Sequence, residues 1–521
     1  MHVICCGMVG SFILTYKRYH PVHSDIKGGL IMLYPSIDEV RELLKAYTTV
    51  PVFFTLPADH RTPISIFTAL SQGEDNAFLL ESVNNGTQWD RYSFIGFHPV
   101  KEIRGHGTSL QITENGTSRT VVEPEPFHYL QGLLDAQTSP KIEEYPYFTG
   151  GFIGYFAYDA VRYTEKKLTR VPDDDIGMPD LHLFGYDTLV AFDHLNSNAI
   201  VIVNIRRDAD IEEQYRAAEV TAAQVAAKID SCHCRGQFRD DEPAVRVTSN
   251  VTREEYMGMV QKAKEYITAG DIFQVVLSQR FEVQNPPDSF EGYRRLRATN
   301  PSPYLYYFKT KDYEISGASP ELLVKVNDGI AATRPIAGTR PRGKTHAEDR
   351  ELEKSLLADE KERAEHTMLV DLGRNDLGRI SEFGSVEVSK YKMIHRYSRI
   401  MHICSQVEGN IRDDCDALDA VSAVLPAGTL SGAPKIRACE IIEELERCPR
   451  GIYGGALGYM DFSGNLDTCI AIRMAVKKNN KVYVQAGGGI VADSIPENEY
   501  EESYNKAIAV MNAVKESQNI V

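Results

Sequence analysis

The sequence predicts an α+β fold, because strand-like and helix-like runs are grouped and do not alternate regularly as a doubly wound parallel sheet requires. Period-two alternation dominates from about Ala77 to Ile205, and blocks of helical periodicity follow it. At 521 residues and 43% hydrophobic content the chain can bury a large core, and its length suggests two to four domains. No repeat of fixed period is visible.

Residues 1–31 stand apart. Val3 to Tyr16 is apolar but shorter than a membrane span, and it lacks the basic start and cleavage site of a signal peptide. Lys27-Gly28-Gly29 can be encoded by a purine-rich ribosome-binding sequence ahead of Met32, which makes residues 1–31 an expected misassigned start; a disordered arm is the other reading. Ser36-Ile-Asp-Glu39 is a capping box opening the amphipathic run Val40 to Lys45. Phe78 to Val83, Tyr92 to Phe97 and Thr188 to Phe192 read as strands, the last meeting Ala199 to Val203 across an Asn196-Ser-Asn198 turn. An Ala-rich helix is expected over Ile211 to Ile229.

The polar stretch 231–249 reads as a linker between an N-terminal part (32–230) and a C-terminal part (250–521). Thr252-Arg-Glu-Glu255 is a second capping box. Its helix carries Tyr256, Met259, Val260, Ala263 and Ile267 on one face and stops near Gly270, ahead of a strand over Ile272 to Gln279.

Net charge is −16, from 73 acidic and 57 basic residues, so a nucleic-acid surface is not the default expectation. The nine cysteines lack regular spacing, which argues against a disulfide framework and for a reducing cytoplasm. Cys232-His-Cys234 has no second ligand pair nearby and is read as incidental.

The strongest chemical signal is two pairs of glutamates far apart in the chain, Glu362 with Glu365 and Glu499 with Glu502, the second followed by Lys506. Spacing of three puts both carboxylates of a pair on one helix face. An isolated pair of this kind is ordinarily a solvated surface. Two such faces brought together make a hard-oxygen site suited to Mg²⁺ and an anionic ligand.

Around them stand Gly317-Ala-Ser-Pro-Glu321, Pro335-Ile-Ala-Gly-Thr-Arg-Pro-Arg-Gly343, Met368-Leu-Val-Asp-Leu-Gly-Arg-Asn-Asp376, Gly428-Thr-Leu-Ser-Gly-Ala-Pro-Lys435 and Gln485-Ala-Gly-Gly-Gly489. In this order, over about Glu81 to Lys506, they resemble the chorismate-utilising enzymes, most closely the anthranilate synthase component I group. The resemblance implies large antiparallel sheets packed as a sandwich with helices outside, and halves too closely fused for the linker to mark separable domains. It also implies that Gly338, Thr339, Tyr453, Arg473, Gly487, Gly488, Gly489 and Lys506 contact chorismate, that Glu365 and Glu502 hold Mg²⁺, and that Glu362 and Glu499 orient ligands or waters.

Chorismate carries two carboxylates. Arg473 offers one of them a planar fork, and Gly487 to Gly489 can form either an inward-turned nest of N–H groups or a tight strand turn. Expelling the C4 hydroxyl needs an acid, for which Glu321 is the candidate; without its motif it would pass for a strand-end surface glutamate. His402, on an apolar stretch, is either a core histidine or a ring-side group that polarises the departing oxygen or moves a later proton. Thr429 is a neutral donor.

Two positions separate relatives. Those that add water carry a lysine where this chain has Gln274, and many aminodeoxychorismate synthases carry a nucleophilic lysine at the place of Ala337. Both residues favour ammonia as nucleophile and anthranilate as product, with aminodeoxychorismate synthase component I the alternative. No glutaminase segment is present, which implies a separate glutamine amidotransferase subunit in a heterodimer or heterotetramer. Leu79-Leu-Glu-Ser82 and Asn300-Pro-Ser-Pro-Tyr304 resemble the group's tryptophan feedback site, implying inhibitor contacts at Ser82, Pro303, Tyr304 and Leu305.

Overall fold

The computed structural model describes residues 32–82, 91–170, 174–231, 246–284, 286, 288–397 and 400–516. The expected misassigned start, the Cys232-His-Cys234 triplet and most of the linker lie outside the described residues. Two twelve-stranded sheets form the body, and the strand pairings of both are antiparallel throughout the described ladders. This is the predicted α+β sandwich with helices outside.

The two sequence halves interleave in both sheets. In one sheet Ala77–Glu81 pairs with Tyr304–Lys309, register Leu305 to Glu81 and Phe308 to Phe78. In the other Gly151–Phe156 pairs with Ala456–Asp461. Alternation decides the layers: Phe78 joins the core between the sheets with Phe53, Phe94, Tyr306 and Tyr459, while its neighbour Leu79 faces the helices that carry Phe67, Leu296 and Met511. A second helical layer, with Leu130, Val370, Leu377 and Val421, covers the outer face of the other sheet. Polar ties also cross the sandwich, where Tyr313 bonds both Tyr155 and the buried His182, itself 2.8 Å from Glu102.

Both predicted capping boxes form. Ser36 opens Ile37–Leu43, and Thr252 opens Arg253–Thr268 with Tyr256, Met259, Val260 and Ala263 buried. The predicted hairpin forms with Phe192 opposite Ala199, and the Ala-rich helix runs Ile211–Ser231. The strand expected from Ile272 begins at Gln274 and runs to Gln284, because Phe273 N–H instead meets the Ala433 carbonyl at 2.7 Å. No helix among the described residues is long and apolar enough to cross a membrane.

Candidate active site

The site opens where a strand ends early. Met474–Lys478 pairs with Lys481–Ile490 only as far as Ala475 opposite Val484. Beyond Val484 that edge of the long strand has no strand neighbour, while its other edge stays paired with Gln274–Gln284. The uncovered segment is Gln485 to Ile490, which contains the glycine run.

Two helices bring carboxylates to this gap. Asp359 caps Glu360–Gly378 by accepting from the Lys361 and Glu362 N–H groups, which starts the helix so that Glu362 and Glu365 share a face. Pro496–Glu516 supplies Glu499 and Glu502. The two faces meet. Burial first, and then the charges of Glu362 and Glu502, raise the proton affinity of Glu365, with Lys506 and Lys361 opposing. Burial likewise raises Glu499, against a Ser494 hydrogen bond and with the Glu502 charge adding to it. The four are not equivalent. Glu362 is held by Arg340 Nη1 at 3.2 Å, whose Nη2 is 2.9 Å from Asp359, and Glu502 is paired with Lys506 at 2.6 Å.

Clustered glutamates in one another's field concentrate negative charge that Arg340 and Lys506 offset in part, and a divalent cation would offset it further. Among the described residues no three His, Cys, Asp or Glu side chains converge tightly enough for a closed metal cage. Two carboxylates with the shell completed by water and substrate oxygens is a donor set that Mg²⁺ accepts.

The glycine run lies beneath these carboxylates. Gly487, Gly488 and Gly489 stand opposite Ser278, Leu277 and Val276 in a regular ladder, and none has positive φ. The nest of inward-turned N–H groups is therefore not formed, and neither is a tight turn. The glycines act by lacking side chains: a Cβ on Gly488 would sit 3.3 Å from Glu499 Oε2 and 3.4 Å from Glu502 Oε1. The Gly487 carbonyl accepts from Lys506 Nζ at 3.0 Å, and the Lys506 carbonyl accepts from Arg473 Nη1 at 3.1 Å. A cavity of about 470 Å³ opens against Arg473, Glu502 and Lys506. A larger cavity of about 710 Å³, lined by Arg61, Phe192, Arg294 and Arg297, contains none of the predicted residues and no carboxylate.

The candidate proton-transfer groups lie within reach of the same cations, Glu321 in the field of Lys506 and His402 in that of Arg473. Glu321 sits in the link between Tyr313–Ser319 and Leu322–Asn327, its carbonyl accepting from Ile470 N–H at 3.0 Å. Burial pushes its carboxyl up to about 8, against the pull of the Thr429 hydroxyl and the Lys506 charge. Thr429 Oγ1 is buried and has no hydrogen bond of normal geometry, so its influence on Glu321 falls short of a formed bond and leaves the hydroxyl available to a ligand. Burial pushes the Tyr453 phenol up to about 12, which keeps it a neutral donor.

His402 is 2.9 Å from the Gly338 carbonyl through Nδ1, with Thr339 Oγ1 at 3.1 Å. A carbonyl only accepts, so Nδ1 carries the proton and Nε2 is the basic atom. Burial lowers the proton affinity of the ring, with Gly338 raising it and Arg473 lowering it further. Gly338 makes this contact at a ladder irregularity with φ 68°, where a Cβ would approach Leu356 Cδ1 to 3.0 Å and Glu362 Oε2 to 3.2 Å. One glycine thus joins His402 to the carboxylate helix.

The residues expected at a feedback site adjoin one another at a strand end. Ser82 follows Glu81, which opposes Leu305, so Ser82 meets the Pro303-Tyr304-Leu305 segment at one strand end. Tyr304 OH donates to Asp467 at 2.9 Å. Sequence reasoning missed Arg340, which holds Glu362, and the buried Arg450 beside Tyr453; the only signal for the latter was its place in Arg450-Gly-Ile-Tyr453.

The sequence profile of the chorismate binding enzymes matches residues 75–512. The chain belongs to this family. Among its relatives, anthranilate synthase component 1 of Acetivibrio thermocellus is 47% identical over 495 residues, covering 94% of this chain and 100% of the relative. That of Aquifex aeolicus is 45% identical over 485 residues, 92% of this chain and 97% of its own. The crystal structure of anthranilate synthase component I from Streptococcus pneumoniae TIGR4 superposes with TM-score 0.72 at 40% identity, covering 82% of this chain and 94% of that one. The Escherichia coli isochorismate synthase MenF shares the fold, with TM-score 0.66 at 17% identity over 92% of this chain and 98% of its own.

Proposed function

We propose that the chain converts chorismate and ammonia to anthranilate, pyruvate and water as the large component of an anthranilate synthase. The observation that carries this reading is Glu321, a carboxyl kept protonated near neutral pH and facing the field of Lys506. Arg473 and Lys506 bind the substrate carboxylates, and Tyr453 and Thr429 donate as neutral partners. Ammonia adds at ring C2 while Glu321 delivers its proton to the C4 hydroxyl, which leaves as water, and the ring-bound ammonium then loses a proton that restores the Glu321 acid. His402, with Nε2 as its basic atom, suits acceptance of the C2 proton as the ring becomes aromatic. The enolpyruvyl group departs and takes up a proton as pyruvate.

Glu365 and Glu502 would hold Mg²⁺, with Glu362 and Glu499 orienting ligands and waters. When bound, Mg²⁺ supplies positive charge to the C1 carboxylate. Gln274 supports ammonia over water: its amide lies against Gly489 and its Oε1 is buried without a partner, yet it cannot act as a base. Ala337, buried opposite Ile403, leaves no lysine to attack the ring, which disfavours the aminodeoxychorismate synthase reading.

Ammonia in the cell comes from a glutamine amidotransferase subunit, in a heterodimer or heterotetramer, and the complex is cytoplasmic. Neither nucleic acid nor membrane is a partner. Purified chain with chorismate, Mg²⁺ and ammonium should release pyruvate in step with anthranilate, and glutamine should replace ammonium only after the second subunit is added. Turnover lost on chelation and restored by Mg²⁺ is the expected metal result; undiminished turnover in chelator would remove the metal from the scheme.

Tryptophan inhibits through Ser82, Pro303, Tyr304 and Leu305. Linkage requires that chorismate weaken tryptophan binding by the factor by which tryptophan weakens chorismate binding. Ser82→Phe should abolish inhibition and leave ammonium-driven turnover intact. Unchanged tryptophan sensitivity in that variant would move the inhibitor to another place.

A further inference from the structure

Arg450 is a charged side chain buried where the substrate walls join. The residue is 5% exposed, and Glu446, four positions earlier, is 6% exposed. Arg450 Nε lies 2.9 Å and Nη2 2.6 Å from the two Glu446 oxygens, a bidentate pair. The remaining donors do not close on other side chains. Nη2 also donates to the Val276 carbonyl at 2.7 Å, and Nη1 donates to the Leu430 carbonyl. Glu446 Oε1 in turn accepts from Ser278 N–H at 2.8 Å and Ser278 Oγ at 2.9 Å.

Each of these contacts lands next to a residue already placed at the site. Val276 and Ser278 are the ladder partners of Gly489 and Gly487. Leu430 follows Thr429 in the short Gly428–Leu430 turn. The guanidinium lies 5.8 Å from the Tyr453 ring centroid and 4.7 Å from that of Tyr158, and the Arg450 carbonyl accepts from Tyr453 N–H at 3.1 Å. Two chain segments remote from Arg450 in sequence, the Val276 to Ser278 stretch of strand that backs the glycine strip and the Thr429 turn, are thus registered on one planar cation that itself leads into the Tyr453 turn.

We propose that Arg450, with Glu446, is a positioning residue: it touches no substrate and sets the placement of Thr429, Tyr453 and the Gly487–Gly489 strip relative to one another. A buried ion pair is a poor source of net stability compared with apolar packing, so the four bonds of Arg450, two to Glu446 and two to the backbone carbonyls of Val276 and Leu430, are better accounted for by geometry than by stability. The proposal rests on the chorismate reading. None of the hydrogen bonds made by the Arg450 guanidinium goes to the carboxylate anchors Arg473 and Lys506, which are joined to each other through the Lys506 carbonyl. Loosening Arg450 should therefore spoil the chemical step more than substrate binding.

Arg450→Lys keeps the charge and loses the fork, and Glu446→Gln keeps the hydrogen-bonding shape and loses the charge. With ammonium as nitrogen source, Arg450→Lys should lower kcat by about 10²-fold, the size of effect that a misplaced catalytic group produces, with KM for chorismate nearly unchanged. Glu446→Gln should show the same split with a smaller fall. A variant with lowered melting temperature but wild-type kcat per folded molecule, or with raised KM and intact kcat, would overturn the proposal in favour of a structural role. If Arg450→Lys does not fold, Glu446→Gln decides between the same two outcomes. Wild-type protein run alongside separates the two claims, since failure of wild type to consume chorismate overturns the proposed function, whereas a kcat loss in the variants for any chorismate product supports the positioning role.

Discussion

Glu321→Gln should abolish anthranilate release, with kcat falling by about 10²- to 10⁴-fold, the usual contribution of a positioned acid. Glutamine preserves shape and cannot protonate the C4 hydroxyl, so binding should survive and turnover should not. The pH dependence has a definite sign. The acid form of Glu321 persists up to about 8, so glutamine-driven kcat in the complex should hold below that pH and decline above it. With ammonium as donor, the rate divided by the concentration of free NH₃ should show the same decline. Stability follows the same group. Its carboxyl in the folded chain stands at about 8 against an ordinary 4.5, so the folded state holds a proton that the unfolded state has lost across that window. Stability should therefore decrease as pH rises from about 4.5 to 8, and Glu321→Gln should remove that loss. The variant should melt higher than wild type at pH 8 and equally at pH 4. Wild-type turnover in Glu321→Gln would assign the acid elsewhere.

Glu365→Gln and Glu502→Gln should each lower turnover by at least about 10²-fold, about 3 kcal/mol at the transition state, by removing a ligand charge that draws in the metal facing a dianionic substrate. The Mg²⁺ concentration for half-maximal rate should rise in both. Glu365 gives the cleaner test, because Glu502 is also paired with Lys506 and its loss frees a substrate anchor. Glu365 stands among like charges, so its neutral replacement should leave the fold intact or more stable. Near-normal Mg²⁺-dependent turnover in both variants would return these residues to ordinary helix surface.

The elements legible in the sequence were those whose signals are local. Both capping boxes opened helices, and the Asn196-Ser-Asn198 turn joined its strands as periodicity and turn chemistry required. The two glutamate pairs could be placed on helix faces by spacing alone, but that the faces meet came only with the family resemblance and the structure. Pairing across long separation was not legible. The Ala77–Glu81 strand lies beside Tyr304–Lys309, and nothing in either run specifies the other. The glycine run was misread for the same reason. Three consecutive glycines permit a nest, a turn or a bare strand, and the choice falls to Gln274–Gln284, about two hundred residues away. Arg450 left little pattern because, apart from Glu446 four residues earlier, its partners are backbone carbonyls, which any sequence supplies.

The central claim is that this chain puts nitrogen on ring C2 of chorismate and then expels pyruvate. Incubating the purified chain with chorismate, Mg²⁺ and ¹⁵N-ammonium, then locating the label by mass spectrometry and NMR, tests it most directly. The account predicts anthranilate with one ¹⁵N ortho to the carboxylate and an equal amount of pyruvate. Label at C4 in 4-amino-4-deoxychorismate with the enolpyruvyl group retained, or unlabelled isochorismate formed with water, would contradict it.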